Sequence, residues 1–262
     1  MNIYLHELKV NRKFMIYWSI GILAIIFIYG SFYPLFIKEV DNFVNLMNQY
    51  PAEIRAIFGF NGGNIKSILG YFSTFTLSFA TICGSILAMI LGLSIISKEE
   101  KEKTADFLLA KPVSRFKILT AKILATLTLL LISNSVIYII TYFFLILVAN
   151  TTINLTIFTL LFLTILIIQL LFLTLGFFIS VILKKVKAVL AMAMGIVFGF
   201  YFFSVFAAEK LRLLMPFNYF DANYIIKHSS YESLYLGSTF LLIIIFISLS
   251  YYIYQKKDIA SI

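Results

Sequence analysis

The sequence predicts an all-α, polytopic integral membrane protein with six transmembrane helices and both termini in the cytoplasm. Composition is the first of three observations that predict this fold. Of 262 residues, 61% are hydrophobic and 13% are charged, whereas soluble domains carry about a quarter charged residues. The second is a series of uncharged stretches, each long enough for the roughly 20 residues with which a helix crosses the hydrocarbon core. The third is the concentration of basic residues in the segments on one side of the membrane.

The uncharged stretches define the spans in chain order. Lys122 and Lys184 enclose 61 uncharged residues, which are too many for one span, and the polar cluster at 150–154 divides them at a turn. The first stretch is too long for a signal peptide, so we expect it to be a retained helix. One domain covers residues 1–262, and its predicted spans are about 14–36, 71–97, 118–148, 155–183, 188–207 and 234–255.

The distribution of charge predicts the orientation in the membrane. Segments on the side of the two termini contain 15 of the 21 Lys and Arg residues, while the acidic residues divide six and six. The whole net charge of +9 therefore lies on that side. Because basic residues are retained in the cytoplasm, the termini are predicted to be cytoplasmic. The positive charge then reports topology, and no nucleic-acid partner is expected.

Ionisable side chains are not expected in the middle of the spans, where proton-coupled transporters, pumps and intramembrane proteases usually place them. Cys83 is the only cysteine, and His6 and His228 have no partners at metal-ligand spacing, so we predict neither a disulfide nor a metal site. The polar exceptions are Asn134 and Gln169. They either line a substrate path or form hydrogen bonds between helices, and we favour the hydrogen bonds.

A nucleotide site is not predicted in this chain. The glycine-containing stretch 59–67 differs from a phosphate-binding loop because Lys66 does not directly follow a glycine and no apolar strand precedes it. We therefore predict no catalytic, cofactor-binding or metal-binding residue.

Two ridges of small residues recur at four-residue spacing. They consist of Ala80, Gly84, Ala88 and Gly92 in the second span, and Ala191, Gly195 and Gly199 in the fifth. Residues four apart share a helix face, and small ones let two backbones approach closely. Packing within the chain and an interface or sliding surface between chains are both consistent with this pattern.

The connection between the second and third spans, residues 98–117, has the signals of a short helix. Thr104 is a candidate N-cap, and Pro112 ends the helix before Ser114 caps the next one. Phe107, Leu108 and Leu109 form an apolar knob on it. Such a helix is suited to docking into a partner's groove, and a helix lying on the membrane is the alternative.

The same connection resembles the signature of type 2 ATP-binding-cassette (ABC) transporter permeases. That signature runs E-E-x-x-G-T, a leucine pair, P-V-S-R and a lysine that leads into the third span. The matching residues here are Glu99, Glu100, Thr104, Leu108, Leu109, Pro112, Val113, Ser114, Arg115 and Lys122, with Lys103 in place of the glycine. Segments 6–9, 50–59 and 216–221 resemble the family's amphipathic N-terminal helix, short outer helix and last outer loop.

The resemblance implies a multi-pass transporter subunit that lies in a cell membrane, the cytoplasmic membrane of a bacterium, and contacts its lipids. It implies pairing with a second, identical or homologous permease and binding of two ABC ATPase subunits, which hold the ATP and Mg²⁺. Phe107, Leu108 and Leu109 would enter a groove of the ATPase, with Glu99, Glu100 and Arg115 at its rim. The two ridges would lie at the dimer interface and central path.

The implied function is ATP-driven export of an amphipathic or hydrophobic compound, such as a peptide antibiotic, a drug or a lipid-like molecule. An ATP-independent secondary transporter or channel is the alternative, and it would need ionisable or filter-forming groups in the spans. A membrane enzyme acting on lipids is a third reading, and it would need clustered His, Asp or Cys residues.

Overall fold

The computed structural model describes residues 3–51, 54–55, 65–101, 114–183, 186, 188–206 and 209–256. Within these ranges every regular element is a helix, and six helices are long and apolar enough to cross a membrane. We number them spans 1 to 6: Ile3–Phe36, Ile68–Ile95, Arg115–Ala149, Leu155–Ile182, Val189–Phe206 and Ser233–Lys256. The prediction of an all-α chain with six spans is confirmed.

Span 1 is longer than the uncharged stretch from which it was predicted, and the helix that contains span 2 continues beyond the end of that span. The first helix runs without a break over Ile3–Ser31, and Tyr33–Phe36 continues it. The charged residues at 7–13 thus belong to the same helix as the apolar residues that cross the membrane. Span 2 begins with Ile68–Tyr71 and a π-helical turn at Phe72–Leu77, and its last part belongs to the helix Ser78–Lys101, which continues past Ile95.

A tight turn separates spans 3 and 4. Asn150 ends span 3 with a left-handed backbone (φ 53°), a conformation that asparagine tolerates at a helix C-terminus. Asn154 then caps span 4, because its side-chain oxygen accepts a hydrogen bond from the Ile157 amide at 3.2 Å. The two asparagines explain why the long uncharged stretch forms two helices.

Spans 2 and 4 form the centre of the protein. Most of each is buried within the chain, whereas spans 1, 5 and 6 are largely exposed. Large side chains from both central spans, among them Leu87, Met89, Phe172 and Phe177, are almost completely enclosed. The other spans pack around this pair, so their outward surfaces face lipid or another chain.

Span 1 packs along span 3 in the same direction. The Ser19 and Ser133 hydroxyls are hydrogen-bonded at 2.6 Å, and the rings of Phe27 and Phe144 lie 4.7 Å apart further along both helices. Spans 1 and 3 therefore begin at one face of the protein. We refer to this face, where span 6 ends, as the inner face because its charge predicts it to be cytoplasmic.

The outer face is held by contacts between the short helices and span 6. Arg212, in the 3₁₀ helix Glu209–Leu214, pairs with Glu232 at 2.6 Å and lies 4.0 Å from the centre of the Tyr235 ring. Tyr231 donates a hydrogen bond to the Leu160 carbonyl oxygen at 2.5 Å. Burial raises the pKa of Tyr231 to about 12, so its hydroxyl remains a donor at neutral pH. The remaining elements here are Pro216–Asn218 and Ala222–His228.

A second outer segment follows span 1. The helix Val40–Met47 packs through Phe43 onto Phe36 and Phe75, and Asp41 pairs with Lys66 at 2.8 Å on the exposed surface. The predicted short outer helix at 50–59 lies mostly outside the described residues.

Candidate functional site

The predicted ATPase-coupling residues flank the inner ends of spans 2 and 3. Thr104, Phe107, Leu108, Leu109, Pro112 and Val113 lie outside the described residues. Glu99 and Glu100 belong to the last turn of the helix Ser78–Lys101. Ser114 and Arg115 open span 3.

The start of span 3 is fixed by its first two residues. The Ser114 hydroxyl accepts a hydrogen bond from the Lys117 amide at 3.4 Å, which is the N-cap predicted for this serine. Arg115 donates a hydrogen bond to the Gln255 carbonyl oxygen of span 6 at 3.3 Å. The helix that leaves the coupling segment is therefore attached to the end of span 6.

Lys122 joins three spans near the inner face. Its ammonium group donates a hydrogen bond to the Ile95 carbonyl oxygen of span 2 at 2.6 Å, and lies 3.4 Å from a carboxylate oxygen of Glu7 in span 1. The Lys122 side chain is 3% exposed and that of Glu7 14%. A buried charge is costly unless it is paired and hydrogen-bonded, and both partners are present here.

The carboxylate of Glu7 is oriented by a neighbour on its own helix. The Asn11 side-chain amide donates to the second carboxylate oxygen of Glu7 at 3.2 Å and to its backbone carbonyl at 3.0 Å. The first oxygen thus points to Lys122. This arrangement gives the ion pair one defined geometry.

Span 6 contacts the same part of span 3. The hydroxyls of Thr120 and Tyr251 are hydrogen-bonded at 2.8 Å, and the Tyr251 ring lies 5.0 Å from that of Phe116. Spans 1, 2 and 6 are all attached to the first two turns of span 3. We refer to Glu7, Ile95, Thr120, Lys122 and Tyr251 as the inner cluster.

A cavity of about 260 Å³ lies beside the inner cluster, between the start of span 1 and one face of span 3. Its lining residues are Tyr4, Phe116, Lys117, Thr120, Ala121 and Leu124. The Tyr4 hydroxyl is hydrogen-bonded to Thr128 at 3.0 Å. The lining is almost entirely apolar, so the cavity extends the hydrophobic surface of span 3.

The small-residue ridge of span 2 packs within the chain. A Cβ atom added to Gly92 would lie 2.4 Å from the Leu173 carbonyl oxygen and 2.9 Å from Gly176 Cα, both in span 4. Ala80 and Ala88, on the same ridge, are completely buried. The structure thus places this ridge between spans 2 and 4, which is the alternative of packing within the chain.

The ridge of span 5 has a different position. A Cβ atom added to Gly195 or Gly199 would have no neighbour within 4 Å among the described residues. Ala191 and Gly195 are exposed, and Gly199 is partly exposed. This face of span 5 is available to a second chain.

The intramembrane polar residues form a hydrogen bond between helices. The Asn134 side-chain amide of span 3 donates to the Gln169 side-chain oxygen of span 4 at 2.7 Å, and both residues are buried. A Cβ atom on Gly84 would lie 2.4 Å from the Gln169 amide nitrogen. The glycine makes room for this amide, so the polar pair sits where spans 2, 3 and 4 meet.

Comparison with known families decides the class of protein. The model of the family described as ABC-2 family transporter protein matches residues 1–259, almost the whole chain. This protein belongs to the ABC-2 transporter family. The predicted resemblance to type 2 ABC permeases is confirmed, and the family supports a membrane subunit of an ABC transporter. No curated protein in the comparison matches the chain.

The inner cluster of this ABC-2 protein was not predicted from its sequence. Lys122 was counted among the basic residues of the inner face, and Glu7 among the acidic ones. The pairing joins residues 115 positions apart in the chain, so no local pattern indicates it. The available signal was the position of Lys122 itself, which lies two turns inside the helix that begins at Arg115.

Proposed function

We propose that this ABC-2 family protein is the permease subunit of an exporter for an amphipathic or hydrophobic compound. A separate ABC ATPase hydrolyses the ATP and holds the Mg²⁺. Two permeases, identical or homologous, form twelve spans, and two ATPase subunits bind at the inner face. The complex lies in the cytoplasmic membrane of a bacterium, and its cargo is a peptide antibiotic, a drug or a lipid-like molecule.

The inner cluster is the observation that carries this proposal. An ATPase bound to segment 98–117 would displace the start of span 3, because Ser114 and Arg115 continue directly into that helix. Spans 1, 2 and 6 are attached to span 3 within its first two turns. A movement of the segment would therefore reach four of the six spans at once.

Pairing with a second permease is supported by span 5. No described residue lies within 4 Å of a Cβ atom added at Gly195 or Gly199 of its ridge, and small residues allow close packing of helices in lipid, where no hydrophobic effect operates between them. The side-chain amides of Asn134 and Gln169 hydrogen-bond to each other. We therefore expect the spans to offer this pair's amides to no strongly polar cargo, which favours an amphipathic or hydrophobic one.

Purification of the native complex tests the proposal. The chain carries a C-terminal tag and is extracted from its own membranes with a mild detergent. We expect an ABC ATPase to accompany it, with Mg²⁺-dependent ATP hydrolysis that vanadate inhibits. A variant in which Gly-Ser repeats replace residues 104–110 is the control, and it should insert normally but bring no ATPase. Absence of any ATPase from the wild-type eluate, even after cross-linking, would contradict the proposal.

The orientation is tested by cysteine labelling. In a Cys83→Ser background, single substitutions Lys101→Cys and Lys227→Cys are treated with a membrane-impermeant maleimide. We expect labelling at 227 in intact cells and at 101 only after permeabilisation, because the basic residues lie on the side of residue 101. Labelling of residue 101 in intact cells would show that the inner face is external.

A further inference from the structure

Lys122 connects the two helices that flank the coupling segment, and its ion pair with Glu7 adds span 1 to the same contact. Ile95 lies near the end of the helix that leads into the segment, and Lys122 lies seven residues into the helix that leaves it. The hydrogen bond from Lys122 to the Ile95 carbonyl oxygen at 2.6 Å joins these two helices. Glu7 then attaches the first span to the same point.

Stability alone does not account for this pair. Replacing a buried ion pair by apolar residues of similar size is often neutral or stabilising, because desolvation offsets the attraction between the charges. Removing one partner is strongly destabilising, since the other charge is left buried. A buried pair with one defined geometry instead fixes the relative position of the helices that carry it.

We infer that Lys122 is a positioning residue that keeps span 1 in register with span 3 while the ATPase moves the coupling segment. This inference rests on the proposed function. A rigid helix carries a displacement of residue 115 to Lys122, about 10 Å along the axis at about 1.5 Å per residue. Through Glu7 the same displacement then reaches span 1. The other contacts between spans 1 and 3, such as the Ser19–Ser133 hydrogen bond, remain without the pair, and we expect span 1 then to follow span 3 less closely at the inner face.

The test is a distance measurement on the complex of permease and ATPase. Spin labels are attached to cysteines at Lys13 of span 1 and Lys117 of span 3, two exposed positions, in a Cys83→Ser background. In the wild-type pair we expect the same distance in the nucleotide-free and the vanadate-trapped complex. In Glu7→Gln/Lys122→Met, we expect the wild-type distance without nucleotide and a changed or broadened distance after trapping.

Removing both charges together keeps the test separate from misfolding, because neither charge is left buried without a partner. Lys122→Arg retains the charge and the donors, so we expect it to restore the fixed distance after trapping. The matched control is Asp41→Asn/Lys66→Met, which removes an exposed ion pair at the outer face and should change neither distance.

Failure of the proposed function and failure of the inference about Lys122 give different results. If no ATPase accompanies the wild-type chain, the proposed function fails. If the complex hydrolyses ATP and Glu7→Gln/Lys122→Met shows one unchanged distance in both states, Lys122 does not position span 1 and the inference is overturned. Failure of Lys122→Arg to restore the fixed distance would overturn it as well.

Discussion

Replacing Phe107 by alanine is expected to weaken binding of the ATPase subunit at least tenfold. Burying a phenylalanine side chain contributes roughly 1.5–3 kcal/mol, and truncating a well-packed one costs about 3–5 kcal/mol. Because about 1.4 kcal/mol corresponds to a factor of ten, even the smaller loss reaches that size. The measurement is capture of the ATPase by wild-type and variant permease at matched expression, with ATP hydrolysis recorded alongside.

The control for Phe107→Ala is the same substitution at Phe143. Phe143 is 61% exposed in the outer half of span 3, far from the coupling segment. We expect Phe143→Ala to capture as much ATPase as the wild type. Membrane insertion should be unchanged in both variants, since Phe107 lies outside every span. Undiminished capture and hydrolysis by Phe107→Ala would remove segment 104–110 from the mechanism and would favour a helix lying on the membrane.

Leucine at Gly92 is expected to prevent normal folding, whereas leucine at Gly195 should leave the fold intact and weaken pairing with a second permease. The new side chain at 92 would meet backbone atoms of Leu173 and Gly176, which cannot move aside as a flexible side chain can. Overpacking of this kind costs about 1–3 kcal/mol and occasionally more. At Gly195 no atom of the part of the chain that the structure describes lies within 4 Å of an added Cβ atom. The measurements are the yield of monodisperse protein in detergent and its oligomeric state.

Gly21→Leu is the matched control for both glycine variants. Gly21 is exposed in span 1, and a Cβ atom there would have no neighbour within 4 Å in the described ranges of the chain. We expect wild-type yield and wild-type oligomeric state from this variant. Normal folding of Gly92→Leu would contradict the close approach of spans 2 and 4. Normal pairing of Gly195→Leu would show that the exposed ridge of span 5 is not the interface.

The number and type of spans could be predicted because lipid imposes simple requirements. Every span needs a long apolar helix, so uncharged stretches reveal it, and the two asparagines at 150 and 154 marked the only division within such a stretch. The residue at which the helix of span 1 begins could not be predicted in the same way. Charged residues at 7–13 ended the uncharged stretch, but the helix continues through them, with Glu7 paired to Lys122 and Lys9, Arg12 and Lys13 exposed on its surface.

The partners of individual residues could not be predicted, because they depend on which helices are neighbours. The ridge of span 2 identified a face that allows close approach, but Gly176 of span 4, against which Gly92 packs, belongs to no repeated pattern. Asn134 and Gln169 were recognised as polar residues in lipid, and their contact became evident only once spans 3 and 4 were placed side by side. The candidate coupling residues, by contrast, could be predicted because they form a continuous signature in the sequence.

The central position of spans 2 and 4 has a consequence for synthesis. Gly92 and Gly176 are 84 residues apart in the chain, and a ribosome adds about 5–20 residues per second, so about 4–17 s separate their appearance. During that interval span 2 is already made while its closest packing partner is not. Lipid or the insertion machinery must cover the glycine face of the nascent helix until span 4 arrives, so the core of this protein is completed late in translation.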